Sequence, residues 1–563
     1  MKKYAGLELF IFGLFAGVIG FTFSGLFRSF FQQDEWYSMG PTFVHGVFAG
    51  LSQSPLLLLL SGQGRLFGSI INNAAYYYFP FRVDILVWFA LIIHTINTFL
   101  WYKVVHNLTG NRLIGIMSAL FFAVAYVPNQ AVTWFASIFT TLPSATFIFI
   151  SLLLYFAYHK KNTVQYLFLA QGAAFVAYMF KESAMFIFLF IPFLFYCGHR
   201  KISSLGKMIK FFAPSIIYVI FILIIRIHSM FSFDHVGTSF VTQTSSVWER
   251  MIFHAIFYSS LSSVQLFIPP TVMFALARYF QSINYGAIQG YLGTQLGIET
   301  VISDFVSFIL FVVFSIALTI LYVRTKNWRN TLLFGVVYIL LSFLPFIILN
   351  KGNAYLDSRY FYNSAAGGGL LLSVCLYIVY ESSRKYCRKV AWLGGIVVGI
   401  VFLAYIGKNI QLVRRDIQKD VMVAQERKQL LFALKSYYPV LPVNAVVYMT
   451  GNTAGYYGLP ELKIPLQQGP GYTIMTWYYA TGSIPDNFLS SYYLWNINDE
   501  GYRSDQGKAF GYFWNKESLI QAIQKYSIRQ QQLVGFYYDS NSKKLMNITN
   551  DVRKELQPYF HYD

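Results

Sequence analysis

Residues 301–323 read VISDFVSFILFVVFSIALTILYV, with Arg324 following directly. Coiled as a helix at 1.5 Å per residue, this stretch spans about 35 Å. That is enough to cross a hydrocarbon core of about 30 Å. Ten further apolar runs recur along the chain, at 9–31, 83–104, 113–128, 138–158, 166–180, 184–198, 211–227, 332–349, 367–383 and 390–407. The runs at 166–180 and 184–198 are short, and suit either tilted neighbours or a re-entrant pair. The pattern predicts a polytopic α-helical membrane protein of about eleven transmembrane helices.

Composition agrees. Of 563 residues, 56% are hydrophobic and 12% charged, against about a quarter charged in soluble domains. The 43 Tyr and 56 Phe suit interfacial belts, where a ring is half wet and half buried. A net charge of +19 raises the question of nucleic acid, but its distribution answers it. Seventeen Lys and Arg residues, Lys2 and Lys3 included, fall at the N-terminus and in every second loop. The short loops of the other face hold Arg65, Arg82, Lys181, Lys351 and Arg359. Positive charge so placed sets membrane orientation, here with the N-terminus cytoplasmic and the C-terminus outside. Nucleic acid is not expected as a partner. Cys197, Cys375 and Cys387 are scattered and imply neither a disulfide framework nor a zinc site. Met1-Lys2-Lys3 begins like a signal peptide, but its apolar stretch runs long without a small-residue cleavage site, so an uncleaved first helix is expected.

Two external segments are long. The first, 32–82, contains 54–72, which reads as a helix along the interface. The second, 228–300, contains an apolar piece at 251–270 ending in Pro269-Pro270, expected to be external or half-inserted. A twelfth crossing there would break the charge alternation. The transmembrane domain is thus expected over 1–407 and a small extracytoplasmic α/β domain over 408–563. In that domain, 409–436 has helical spacing, and 445–449 and 534–538 read as strands. Asn515 is placed to cap a helix, with Glu517 near its positive end.

Charged side chains at membrane depth or beside apolar runs are costly and often functional. Asp34-Glu35 follows the first helix. Adjacent carboxylates point in different directions, so one can act as base while the other binds a metal or a polar group; a solvated pair at a helix end is the plainer reading. Lys181-Glu182-Ser183 sits in the turn between two short apolar runs, either holding a lipid phosphate or forming a simple ion pair. Asp357-Ser358-Arg359-Tyr360 precedes the tenth helix. Its Arg offers a planar fork for phosphate oxygens or a mere interfacial anchor. Arg65 is a fourth candidate. His94 and Asn97 lie inside the second helix, where interhelical hydrogen bonding is expected. His228, Asp234 and His235 match no metal motif. P-loop, dinucleotide fingerprint and serine elbow are all absent from the sequence.

Taken together, the clusters resemble the GT-C superfamily of membrane glycosyltransferases, which includes protein O-mannosyltransferases, lipid A aminoarabinose transferases and oligosaccharyltransferase catalytic subunits. The resemblance covers roughly 1–407. It lies in Asp34-Glu35 after helix one, the Phe180-Lys-Glu-Ser-Ala184 turn, and Asp357-Ser-Arg-Tyr-Phe-Tyr362 before a Gly-rich helix. The chain lacks an inserted MIR-type domain and the Trp-Trp-Asp signature of oligosaccharyltransferases, which points to the bacterial aminoarabinose-transferase type. The resemblance implies a polyprenyl phosphate sugar as donor and a glycan, lipid or protein as acceptor, at the outer face of a bacterial-type inner membrane. It implies that Lys181, Arg359 and Arg65 hold the lipid phosphate, supported by Glu182, Asp357 and Tyr360. Asp34 would be the base of an inverting displacement. Glu35 would orient the acceptor, or share a divalent cation (Mg²⁺ or Mn²⁺) with Asp34. The rival is a transporter or flippase of lipid-linked glycans. Such a protein should carry ionisable groups inside several helices and related halves; neither is seen in the sequence.

Overall fold

A computed structural model describes residues 2–49, 65–199, 203–232, 295–348, 358–386, 391–442, 445–452, 470–479 and 511–560, with scattered residues of 259–279. Seven helices among these are long and apolar enough to cross a membrane: Gly6–Arg28, Val83–Thr109, Phe135–Lys161, Phe305–Arg324, Lys326–Phe346, Ser358–Lys385 and Trp392–Tyr437. Four shorter apolar helices, Arg112–Val124, Val164–Phe180, Glu182–Cys197 and Phe211–Ile224, fall on the remaining expected runs. The chain is a polytopic α-helical membrane protein.

It forms two compact units. One comprises Met1–Ser24, Ser54–Ser69 and Trp88–Arg415; the other comprises Gly25–Gln53, Ile70–Val87 and Asp416–Asp563.

The first unit is held by small residues and buried polar bonds. Helix Phe135–Lys161 ends where Asn162 turns left-handed (φ 52°), and Val164–Phe180 returns alongside. Ala170, Ala174 and Ala177 are fully buried on the returning helix. Their small size lets the Ser144 and Ser151 hydroxyls donate to the Ala177 and Ala170 carbonyls at 3.0 and 2.6 Å. Between Arg112–Val124 and Tyr362–Tyr386 the backbones meet at Gly369, where a Cβ would lie 2.7 Å from the Ser118 carbonyl oxygen.

His94 and Asn97 take the bonding role expected of them. Tyr362 lies 2.7 Å from His94 Nδ1, and His94 Nε2 lies 3.0 Å from the Ala123 carbonyl. The ring therefore carries its proton on Nε2 and accepts from the Tyr362 hydroxyl. Asn97 donates to the Leu142 carbonyl (2.9 Å) and to the Tyr362 hydroxyl (3.1 Å), and accepts from Thr146 (2.7 Å). Each buried polar atom has a partner, so the network locks its helices without an unmade bond.

The second unit contains a four-stranded sheet in the order β2-β1-β3-β4, where β1 is Val446–Gly451, β2 Gly511–Phe513, β3 Leu533–Asp539 and β4 Lys544–Asn547. Strands β1, β2 and β3 are parallel and β4 is antiparallel to β3, with Val446 opposite Gly511 and Leu533, and Phe536 opposite Asn547. Both strands read from the sequence are present, as β1 and β3. Asn515 Oδ1 accepts from the Glu517 N–H at 2.8 Å, capping helix Lys516–Tyr526 as expected. That helix buries Leu519 and Ile523 with Val446, Phe513, Leu533 and Val552. Elsewhere in the unit the Trp477 ring meets Phe30, Phe81 and Phe432 at 6.1, 5.3 and 5.1 Å between centroids.

The span expected at 390–407 and the helix expected at 409–436 are one element, Ala391–Tyr437. Only Gly407 marks the change from apolar to mixed sequence, and a Cβ there would meet nothing within 4 Å. A single exposed glycine weakens a helix without ending it. Of the interface helix expected at 54–72, the described part belongs to Leu66–Tyr78; residues 54–64 lie outside the described residues. So do Asp234, His235, Cys387, and residues 251–258, 269 and 270 of the apolar piece.

Candidate functional site

The charged residues singled out at 65, 181, 182 and 359 come together with Tyr360 in the first unit. Helix Val164–Phe180 stops at Lys181, whose backbone is extended (φ −158°, ψ 130°), and a tight turn, Glu182–Phe186, follows. The break throws Lys181 and Glu182 to different sides. Lys181 turns inward and is 4% exposed, with its ammonium donating to the Thr141 hydroxyl at 2.6 Å. Glu182 meets Arg65, 117 positions earlier. Arg65 Nε donates to Oε2 at 2.7 Å and Nη2 to Oε1, a two-point fork.

Gly68 makes this reach possible. A Cβ there would come within 2.7 Å of Thr140 and 2.9 Å of the Phe180 carbonyl, so only glycine brings the start of Leu66–Tyr78 so close. Burial alone would raise the Glu182 carboxyl. The Arg65 charge and hydrogen bonds, with the Lys181 charge, outweigh it and hold the group down at about 2. The Arg65 guanidinium is correspondingly raised, chiefly by the Glu182 charge.

Arg359 and Tyr360 arrive on a short turn, Ser358–Phe361. Ser358 ties that turn to residues 127–130, where a loop passes into the helix Gln130–Thr133. Its hydroxyl bonds the Val127 carbonyl, lies 3.0 Å from Asn129 Oδ1, and accepts from the Gln130 N–H at 3.3 Å. The result is a stack of rings and cations. Lys181 Nζ lies 5.3 Å from the Tyr360 ring centre and the Arg359 guanidinium 5.1 Å from it. On the Trp134 ring the same guanidinium sits at 4.0 Å. Cations over aromatic faces are attracted by the ring quadrupole, more strongly when desolvated. These side chains include three cations, Arg65, Lys181 and Arg359, the first of them paired with Glu182. A phosphate suits such a set, since Arg grips two oxygens and Lys acts as a point charge.

Asp357, the sixth residue of this expected set, lies outside the described residues. The Asp34-Glu35 pair belongs to the second unit, in the first turn of helix Gln33–His45. Of Asp34, the backbone is described. Glu35 is fully buried, and its Oε2 accepts from the Gln32 N–H at 2.9 Å. A carboxylate at a helix start both satisfies a loose N–H and faces the positive end of the dipole. Among the described residues no group of three His, Cys, Asp or Glu side chains is placed to hold a metal ion. The bond from the Gln32 N–H to Glu35 is a capping bond.

Thr141 and Trp134 were not singled out in the sequence, and Ser358 appeared there only as a member of the 357–360 stretch. One signal was available for Trp134. The polar stretch Asn129-Gln130 interrupts two apolar runs just before it, an interruption a simple helix pair does not need.

Neither a family model nor a curated protein matches the chain. Solved structures similar to it include the archaeal oligosaccharyltransferase AglB from Archaeoglobus fulgidus in complex with an inhibitory peptide and a dolichol-phosphate (12% identity, TM-score 0.41). Others are the Archaeoglobus fulgidus oligosaccharyltransferase in complex with Zn and sulfate (12%, TM-score 0.38) and ArnT from Cupriavidus metallidurans bound to undecaprenyl phosphate (12%, TM-score 0.36). The matches cover 95%, 83% and 99% of this chain. They take in 69% and 61% of the two archaeal chains and 96% of the ArnT chain.

Proposed function

We propose that this protein is a GT-C-type membrane glycosyltransferase that moves a sugar from a polyprenyl phosphate donor to an extracytoplasmic acceptor, inverting the anomeric configuration. The observation that carries the reading is the convergence of buried Lys181 and of Arg359 on the Tyr360 ring, at the end of apolar helices. An amphipathic phosphate ester has its tail in lipid and its charge at the membrane edge, and two cations together at the end of apolar helices support that reading. Donors aimed where negative charge develops stabilise a leaving group without reorganising.

In the proposed reaction Asp34 takes the proton of an acceptor hydroxyl, and the hydroxyl oxygen attacks the anomeric carbon. The bond from that carbon to the phosphate oxygen breaks, and its electron pair leaves with the polyprenyl phosphate, held by Lys181 and Arg359. One displacement gives inversion. The role of Asp34 rests on the order of the motifs in the sequence, and we assign Glu35 to fixing the helix turn that carries it.

The test is transfer by purified protein in lipid nanodiscs, given labelled polyprenyl phosphate sugars and candidate glycan, lipid or peptide acceptors. General-base catalysis contributes about 10²–10⁴-fold. Asp34→Asn should lower turnover by that order while donor binding changes little. Lys181→Ala and Arg359→Ala should raise the donor KM. Arg359→Lys should recover only part, because an ammonium lacks the two-point fork. Undiminished transfer by Asp34→Asn removes Asp34 as the base. Glycolipid crossing liposome membranes without transfer to any acceptor makes the protein a transporter.

A further inference from the structure

Trp134 stands between two helices. It follows the short helix Gln130–Thr133 and precedes Phe135–Lys161, with an extended backbone (φ −97°, ψ 108°). Its own N–H donates to the Gln130 carbonyl at 3.1 Å, and its carbonyl receives the Ser137 N–H at 2.9 Å. Backbone bonds on both sides therefore hold the residue where the two helices break. One face of its ring carries the Arg359 guanidinium at 4.0 Å. The indole Nε1 is buried and, among the described residues, meets no acceptor. Buried indole N–H groups usually find a partner, and leaving a donor unsatisfied costs more than a made bond returns. The acceptor wanted is one that arrives with the ligand. It would come to a place where Arg359 and Lys181 already favour negative oxygen.

We infer that the Trp134 indole N–H donates a hydrogen bond to an oxygen of the lipid phosphate, making Trp134 a binding residue of this site beside Arg359. The inference rests on the reading of the Lys181–Arg359 cluster as a phosphate site. Trp134 then has two separable parts. Its ring face packs on the guanidinium, and its N–H adds a directed donor to the two cations.

The test separates the two parts. Binding of a polyprenyl monophosphate is measured for wild type, Trp134→Phe, Trp134→Leu, Lys181→Ala and Arg359→Ala in nanodiscs. Trp134→Phe keeps an aromatic face but lacks the N–H, so affinity should fall roughly tenfold, the worth of one bond to a charged acceptor. Trp134→Leu loses the face as well and should fall further. In ultraviolet resonance Raman spectra, the indole band sensitive to N–H hydrogen bonding should shift when the lipid phosphate is added. That shift should be missing from Trp134→Phe. If Trp134→Phe does not fold, benzothienylalanine at position 134 keeps the bicyclic ring and replaces the N–H by sulfur, and the same loss is expected. Wild-type affinity in Trp134→Phe, with weakened Lys181→Ala and Arg359→Ala, overturns the inference and leaves the phosphate site standing. Weaker binding with no spectral shift assigns Trp134 a structural part and also overturns it. Unchanged binding in both Lys181→Ala and Arg359→Ala removes the phosphate site, and the inference falls with it.

Discussion

Glu182 is 13% exposed and its partner Arg65 47% exposed, so the pair is neither a surface bridge nor a fully buried one. The carboxyl ordinarily titrates near 4.3 and is held at about 2 in the fold. A group whose folded value lies below its unfolded one stabilises the fold above the unfolded value and loses that contribution as pH falls toward the folded one. Wild type should therefore be more stable than Glu182→Gln at pH 7. The gap between their thermal midpoints in detergent should close between about pH 4.5 and 2. A gap that does not change with pH would mean that the charge of Glu182 contributes nothing. In Arg65→Met the burial of Glu182 would no longer be outweighed, so the carboxyl should titrate higher and the loss begin at a higher pH. The charged members of this site were legible because a charge beside an apolar run stands out. Their pairing was not legible, because Arg65 and Glu182 are 117 positions apart. Thr141 and Trp134 look like any residues of an apolar helix, and only the fold turns them toward the cations.

Helices in this chain announce themselves by hydropathy, and the eleven apolar runs read from the sequence reappear as eleven apolar helices among the described residues. What hydropathy does not carry is how closely two helices approach. Gly369 and Gly399 are equivalent letters in equivalent helices. Yet a Cβ at Gly369 would lie 2.7 Å from the Ser118 carbonyl oxygen and 2.8 Å from the Phe121 ring, while one at Gly399 would meet nothing within 4 Å. Backbone cannot swing aside as a flexible side chain can. Gly369→Ala should then destabilise the protein by about 1–3 kcal/mol, the usual cost of overpacking. Gly399→Ala should be neutral or stabilising by up to about 1 kcal/mol. Thermal midpoints of the two variants in the same detergent decide it, and equal midpoints would contradict the close packing of Arg112–Val124 on Tyr362–Tyr386. The continuity of Ala391–Tyr437 was hidden for a related reason. A change from apolar to mixed sequence marks where the surroundings change, not where the helix ends.

At the scale of the whole chain, orientation is set by charge and tested by parity. Lys181 and Arg359 meet at one ring, so the chain between them must cross the membrane an even number of times. Four apolar helices lie between them, Ile187–His199, Ser203–Ser232, Gln295–Arg324 and Arg329–Ile348. They satisfy that parity without a crossing from 251–270. A single added crossing there would put the two cations on opposite faces, where no one phosphate could reach both. The asymmetry of positive loops points to the same arrangement. The orientation expected from that asymmetry would put the turn Lys326–Trp328 inside and the turn joining β3 to β4 outside. Asn327 and Asn541 are both exposed in these turns, so reagent access at either is governed by the membrane and not by packing. In a chain with Cys197, Cys375 and Cys387 replaced, a cysteine at Asn541 should react with an impermeant thiol reagent in intact cells. One at Asn327 should react only after the membrane is opened. If both sites invert while the N-terminus stays cytoplasmic, 251–270 crosses, and Lys181 and Arg359 cannot share a ligand. If both react from outside, the last three spans are wrongly counted, and the orientation assigned to the C-terminal unit fails with them.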